Sequence, residues 1–117
     1  MIAHATRKLQ LETRLADLKG RLQGIEAELI DLRTIWPWDR EAVLQSCART
    51  GRLLVAHEAI QAAGFGAEIV ATVAEHLPCK VKRLGAPRIP VGYAPVLEAQ
   101  ARVTVEATVQ AAVQLMG

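Results

Sequence analysis

One stretch of the chain is apolar at successive positions, and a glycine-rich segment follows it. Positions 53–56 carry only Leu, Val and Ala, and His57 and Glu58 come directly after them. Such a run is typical of a strand covered on both faces, as in a parallel sheet between helices. Gly64-Phe65-Gly66 then precedes a helical pattern, so this stretch predicts a strand, a loop and a helix. His57 and Glu58 are predicted at the carboxyl end of the strand, where open α/β sheets bind their ligands.

Four stretches space their apolar residues as amphipathic helices do. Leucines at 11, 15, 18 and 22 mark a helix that covers a sheet rather than a coiled-coil seam, because the pattern lasts barely two heptads. Asp39 is a suitable N-cap for a second helix that ends at Thr50-Gly51. The third helix begins near Gly66 and stops before Pro78, and the fourth spans 104–116.

Four strands alternate with these helices, at 1–5, 27–32, 52–57 and 80–84. The last alternates charged and apolar residues, which favours an edge position, and edge lysines discourage stray strand pairing. A proline-rich, irregular connection follows it over 85–95. Alternating strands and helices predict an α/β fold with a mainly parallel sheet and right-handed crossovers.

Composition narrows the class of protein further. The 117 residues suggest a single domain. The sequence is 51% hydrophobic but only 3% aromatic, so the core must consist of Leu, Val, Ile and Ala, which favours helices packed on a β-branched sheet. A net charge of +2 does not favour nucleic-acid binding. Cys47 and Cys79 lack metal-ligand spacing and are interpreted as reduced thiols. With neither a membrane-length apolar run nor a signal-peptide core, a cytoplasmic protein is predicted.

His57 and Glu58 are the sharpest candidates for catalysis. A histidine at a strand end could serve as a general base. Neighbouring strand residues point to opposite faces, however, so Glu58 does not orient His57. No serine or cysteine is placed as an obvious nucleophile. A structural or interface role for His57 is therefore the favoured interpretation.

Two further motifs carry open alternatives. Gly64 and Gly66 before a helix could present backbone N–H groups to an anion, but Ile69 breaks the dinucleotide fingerprint, so close loop packing is favoured. Phe65 would be a natural interface anchor if it were exposed at a loop tip. Trp36 and Trp38 flank a proline and either cover a core edge or fill a pocket on a partner.

The order of several segments resembles the C-terminal domain of the beta subunit of 2-oxo-acid dehydrogenases. These are the thiamine-diphosphate-dependent first components of the pyruvate, branched-chain and acetoin complexes. Each segment alone is weak evidence for the resemblance, but the ordered series of segments at the family's spacing is strong evidence. In chain order the segments are 27–34, 37–39, TGRLLVAHEA at 50–59, 64–69, 81–84, 90–98 and the closing helix.

The resemblance implies a three-layer α/β/α sandwich of the transketolase C-terminal domain type, occupying 1–117 as one domain. It implies that the strand at 1–5 is truncated and that the thiamine-binding domain is absent from this chain. In the family, thiamine diphosphate and magnesium support oxidative decarboxylation of a 2-oxo acid and acyl transfer to a lipoyl group. No catalytic, cofactor-binding or metal-binding residue carries over to this sequence.

What the resemblance leaves to this domain is assembly. The expected partners are a second copy of the domain, the alpha subunit and the lipoyl acyltransferase component, with no nucleic acid and no membrane. We expect His57, Glu58, Phe65, Glu68 and Tyr93 at or beside interfaces, and the isolated domain to be non-catalytic. The alternative is a free-standing α/β module that binds an anion or a nucleotide through Gly64 and Gly66.

Overall fold

The computed structural model describes residues 24–89 and 102–117. The predicted strand at 1–5, the leucine-striped helix and Tyr93 lie outside the described residues. In chain order the described elements are α1 (Arg40–Thr50), β1 (Arg52–Ile60), α2 (Phe65–His76), β2 (Lys80–Ala86) and α3 (Val105–Met116).

The ends of α1 follow from its capping residues. The Asp39 carboxylate accepts a hydrogen bond from the backbone N–H of Ala42 at 3.1 Å, which satisfies a donor that has no partner inside the helix. At the other end Gly51 adopts a left-handed conformation, with φ of 67°, and its N–H donates to the carbonyl of Cys47. The predicted start and stop of this helix are confirmed.

β1 and β2 pair in parallel, with α2 as the connection between them. The register runs from Arg52 opposite Lys80 to Ala56 opposite Leu84, and it shifts before Ile60 meets Ala86. The predicted parallel pairing is confirmed, and β1 continues beyond its predicted end at His57. Within the described residues, β2 pairs with β1 alone.

Helices cover both faces of this strand pair. Leu53 and Val55 pack towards α1 and α2, and the ring of His57 lies against the start of α2. On the opposite face, the Arg52 guanidinium donates to the Leu115 carbonyl in α3. Because successive strand residues alternate between faces, α2 and α3 lie on opposite sides of the sheet. The expected α/β/α layering is therefore present in the described residues.

The core lies between α1, α2 and one face of β1. Its buried members are Trp38, Val43, Cys47, Ile69 and Val73. Leu44, Leu53 and Val55 pack against it from the neighbouring elements. Within the two described ranges, no helix is both long enough and apolar enough to traverse a membrane.

The predicted strand at 27–32 is not observed. This segment carries no strand in the described part of the chain, although Leu32 packs against the core. A strand requires a neighbour to receive its backbone hydrogen bonds, and β1 pairs here only with β2. Side chains hold the segment instead, since Glu28 forms an ion pair with Arg49 of α1.

Candidate functional site

The candidate site is the corner where β1 ends and α2 begins. The half-buried His57 places its Nδ1 3.0 Å from the carbonyl oxygen of Ala59. A carbonyl oxygen can only accept, so Nδ1 carries the proton and donates this bond. In the neutral ring, Nε2 is then left as the acceptor, and it faces the first turn of α2.

The imidazole ring fills the space that two glycines leave open. A Cβ atom at Gly64 would lie 2.8 Å from Cε1 of His57 and 2.2 Å from the carbonyl oxygen of Ile60. A Cβ atom at Gly66 would lie 3.0 Å from Nε2 of the same ring. Both glycines therefore serve close packing, as the favoured interpretation predicted.

This packing weighs against the anion-binding alternative. An anion at a glycine-rich helix start needs free backbone N–H groups and open space in front of them. Here Gly66 is buried beneath the His57 ring, and the N–H of Gly64 donates to the carbonyl of Gln61. The corner has the construction of a packed loop.

Gln61 joins the loop after β1 to the end of β2. Its N–H donates to the Ala86 carbonyl at 2.9 Å, and its Oε1 accepts from the N–H of Gly85 at 3.1 Å. Its carbonyl accepts from Nη1 of Arg83. A Cβ atom at Gly85 would lie 2.7 Å from the Cα of Gln61, so this approach requires glycine. Sequence reasoning missed Gln61, and the glycine near the end of β2 was the available signal of close backbone approach.

A shallow, open depression of about 380 Å³ lies beside this loop. Gln61, Ala62 and Arg83 line it together with residues 85–88. Arg83 is already engaged by the Gln61 carbonyl, while Arg88 is exposed. The depression therefore has a basic rim but little enclosure.

The predicted interface residues differ in how far they are exposed to solvent. Glu58 at the end of β1 and Glu68 in the first turn of α2 are exposed. Phe65 is only partly exposed, because its ring meets that of Trp38 edge-on, with centroids 6.0 Å apart. The condition stated for an anchor role is therefore only partly met, since Phe65 is the first residue of α2 and packs on the core.

The two tryptophans have different environments. Trp38 is 6% exposed and belongs to the buried cluster, whereas Trp36 is 81% exposed. Each of the two alternatives for this loop therefore applies to one residue. Trp38 covers the core edge, and Trp36 is available to a partner.

In the described part of the chain, two ionisable groups outside the corner have shifted pKa values. Burial and the neighbouring Cys79 thiol raise the pKa of Cys47 to about 11. The Ser46 hydroxyl and the Arg49 guanidinium lower the pKa of Glu28 by hydrogen bonding to its carboxylate. Burial is the main cause of the first shift, and hydrogen bonds at the surface of α1 are the main cause of the second.

The described residues do not fit thiamine diphosphate and magnesium. Across the described ranges, no three His, Cys, Asp or Glu side chains converge so that they could hold a metal ion. The two glycines that might have approached a diphosphate are packed on His57 instead. What the corner can do is present a rigid strand end and two exposed carboxylates.

Comparison with known proteins identifies the fold family. The family model described as "Transketolase, C-terminal domain" matches residues 11–108. The chain belongs to this family.

Its relatives agree with this assignment. The chain is 55% identical over 60 residues to the 2-oxoisovalerate dehydrogenase subunit beta 2 of Arabidopsis thaliana, covering 51% of the chain and 17% of that protein. It is 36% identical over 99 residues to the acetoin:2,6-dichlorophenolindophenol oxidoreductase subunit beta of Bacillus subtilis, covering 81% of the chain and 29% of that protein. The chain thus spans less than a third of these curated relatives, and the resemblance to the C-terminal domain of dehydrogenase beta subunits is confirmed.

Proposed function

We propose that this chain is the C-terminal assembly domain of the beta subunit of a 2-oxo-acid dehydrogenase. The family match over 11–108, together with relatives that are beta subunits of 2-oxoisovalerate dehydrogenases, carries the proposal. The complete enzyme would decarboxylate a 2-oxo acid oxidatively and pass the acyl group to a lipoyl carrier. The predicted cytoplasmic location belongs to the same proposal.

Within that enzyme the role assigned to this domain is non-catalytic. The closed packing of His57 against Gly64 and Gly66 supports this role, because the strand end offers no room for a substrate between ring and backbone. Thiamine diphosphate and magnesium would be bound by the alpha subunit and by the N-terminal domain of the beta subunit. The substrate oxo acid would be selected there as well.

The domain would mediate dimerisation and the docking of the acyltransferase component. Glu58 and Glu68 are exposed on the two elements that flank the loop, and hydrogen bonds tie this loop to β2. These two carboxylates are named the acidic rim. A rigid surface binds without a large loss of conformational entropy. His57 and Phe65 would support this rim from beneath, and Tyr93 completes the proposed interface set.

The test measures assembly of the full chain. Light scattering is expected to give the mass of two copies, and calorimetry is expected to detect binding of the acyltransferase component. Glu68→Arg should weaken one of these associations by about tenfold, equivalent to ~1.4 kcal/mol. A strictly monomeric chain at high concentration that also fails to bind the acyltransferase would overturn the proposal.

Glu75→Arg is the matched control for this substitution. Glu75 is exposed on α2 like Glu68, and it lies two turns further along the same helix face, about 10 Å from the rim. The charge change is identical, so a general electrostatic effect would appear in both variants. Equal weakening by both variants would remove Glu68 from the interface.

A further inference from the structure

The chain's two cysteines meet across the core. Cys47 lies on α1 and is 2% exposed, and Cys79 packs against the same buried cluster from the residue before β2. Gly51 holds the two backbone segments together, since its N–H donates to the Cys47 carbonyl at 2.8 Å and its own carbonyl accepts from the N–H of Lys80 at 2.9 Å. Two hydrogen bonds through Gly51 therefore connect the peptide group after Cys79 with the peptide group of Cys47.

The two thiols differ in their access to solvent. Cys79 is half-buried, whereas Cys47 is enclosed by the core. Burial and the adjacent Cys79 thiol raise the pKa of Cys47 to about 11, so Cys47 stays protonated at neutral pH. An oxidant that reaches this pair from solvent meets Cys79 first, and the buried Cys47 thiol is its neighbour.

We propose that Cys79 and Cys47 form an oxidative modification site, in which a peroxide oxidises Cys79 and Cys47 then closes a disulfide between α1 and the start of β2. Both cysteines are reduced thiols in the structure. The partner class is a small peroxide, because only a small oxidant reaches a half-buried sulfur. This site is independent of the assembly role.

The chemistry balances in two steps. The Cys79 thiolate sulfur attacks one peroxide oxygen, the O–O bond breaks, and the departing hydroxide is protonated to water, which leaves a sulfenic acid. The Cys47 sulfur then attacks the Cys79 sulfur, the S–O bond breaks, and the departing hydroxide takes the Cys47 proton. Two thiols and one peroxide become one disulfide and two waters.

The disulfide would enclose β1 and α2 in a covalent loop. A cross-link of this kind restricts the unfolded chain and so favours the folded state. Thiol reductants would reverse it. The free energy of unfolding of the sheet and its helices would therefore rise under oxidising conditions.

Peptide mapping of the full chain tests the site directly. Trypsin releases Cys47 in the peptide 41–49 and Cys79 in the peptide 53–80, since cleavage follows Arg40, Arg49, Arg52 and Lys80. After treatment of the native protein with hydrogen peroxide, these two peptides are expected as one linked species lacking two hydrogen atoms. A reductant should separate them, and the oxidised protein should need more denaturant to unfold.

Single substitutions assign the two roles. Cys47→Ser should leave a sulfenic acid on Cys79 that dimedone captures, whereas Cys79→Ser should slow oxidation of Cys47 by about tenfold or more, because that thiol is buried. Mapping of the wild-type chain needs neither variant to fold. Peptides that stay separate, with both thiols free or with Cys79 oxidised alone or bridged to another molecule, would overturn the proposal.

Discussion

The ring of His57 lies in front of Gly64 and Gly66, so the residue tolerated at each glycine depends on a strand residue earlier in the chain. The two positions differ in what an added methyl group would meet. At Gly64 the nearest atom is a backbone oxygen, at 2.2 Å, which cannot turn away. At Gly66 the neighbours are side-chain atoms of His57 and Val55, at 3.0 Å or more.

Gly64→Ala is therefore expected to destabilise the fold more than Gly66→Ala. Overpacking typically costs about 1–3 kcal/mol, and the backbone contact at Gly64 places that variant at the upper end. At Gly66, the gain in helix propensity of about 1 kcal/mol offsets part of the cost. Urea denaturation of both variants checks the order.

Adding His57→Ala to each variant separates the two contacts. The second substitution should relieve the strain at Gly66 but not at Gly64, where the Ile60 carbonyl remains. Relief at both positions, or at neither, would contradict the packing described for this corner.

The buried Cys47 thiol makes stability depend on pH at alkaline values. Its pKa is raised from 9.0 to about 11, so the folded state holds this proton after the unfolded chain has released it. Its contribution is fully present below pH 9 and is lost as pH rises from 9 to about 11. Denaturation under reducing conditions at about pH 8 and about pH 10.5 should show a larger loss for the wild type than for Cys47→Ala. Parallel losses would contradict the assignment.

At the scale of elements, α3 shows that spacing alone does not identify the buried face of a helix. Its valines at 105, 109 and 113 repeat every four residues, which predicted the helix correctly. The buried residues are nevertheless Ala111 and Leu115, while Val113 is 55% exposed. The helix is apolar on more than one face, and the sheet selects the face that is covered.

Leu115→Ala should therefore cost far more stability than Met116→Ala. Leu115 is 7% exposed beneath the sheet and Met116 is 47% exposed, although the two residues are adjacent. Truncation of a buried leucine costs about 2–5 kcal/mol, and truncation of an exposed side chain falls within about 0.5 kcal/mol. Thermal unfolding of both variants measures the difference. Similar losses would mean that the described orientation of α3 is wrong.

At the scale of the whole molecule, large apolar side chains lie on the surface of the described residues. The most exposed are Trp36, at 81%, and its neighbour Ile35, at 59%. Adjacent exposed apolar residues of this size are typical of interaction surfaces. The loop before α1 is therefore a second candidate interaction surface, in addition to the acidic rim.

The two tryptophans provide a matched test of stability against association. Trp38→Ala should destabilise the fold by about 3–5 kcal/mol, because it removes the ring that packs on Phe65 in the core. Trp36→Ala should leave unfolding nearly unchanged but weaken self-association. Denaturation and light scattering on both variants separate these effects. If Trp36→Ala associated as strongly as the wild type, Trp36 would lie outside the interface.

Much of the fold was predictable because its signals are local. Caps at Asp39 and Gly51, the apolar run before His57 and the apolar spacing of α2 each depend on residues within a few positions of one another. The prediction of a strand at 27–32 was wrong because strand pairing is not a local property. The apolar pattern of this segment suits a strand, but pairing depends on a neighbour that local residues do not specify.

The features of the candidate site were likewise predictable only where their signals are local. The apolar run placed His57 and Glu58 near the carboxyl end of β1, although the strand continues to Ile60. The incomplete fingerprint favoured packing over anion binding, and the two glycines do pack on the His57 ring. The exposure of Phe65 could not be predicted, because the ring of Trp38 that packs on it comes from a distant segment. Gln61 was missed because all its significance lies in contacts with β2.

By itself the sequence determined the helix ends, the parallel strand–helix–strand unit and the family, since these rest on short-range chemistry and on ordered motifs. Only the tertiary structure decided what fills the space at the end of β1, which tryptophan is buried and that the two thiols are neighbours. Those outcomes depend on side chains brought together from separate elements, and close packing makes each contact depend on the others. The corner that looked open to a ligand in the sequence is closed by His57 for that reason.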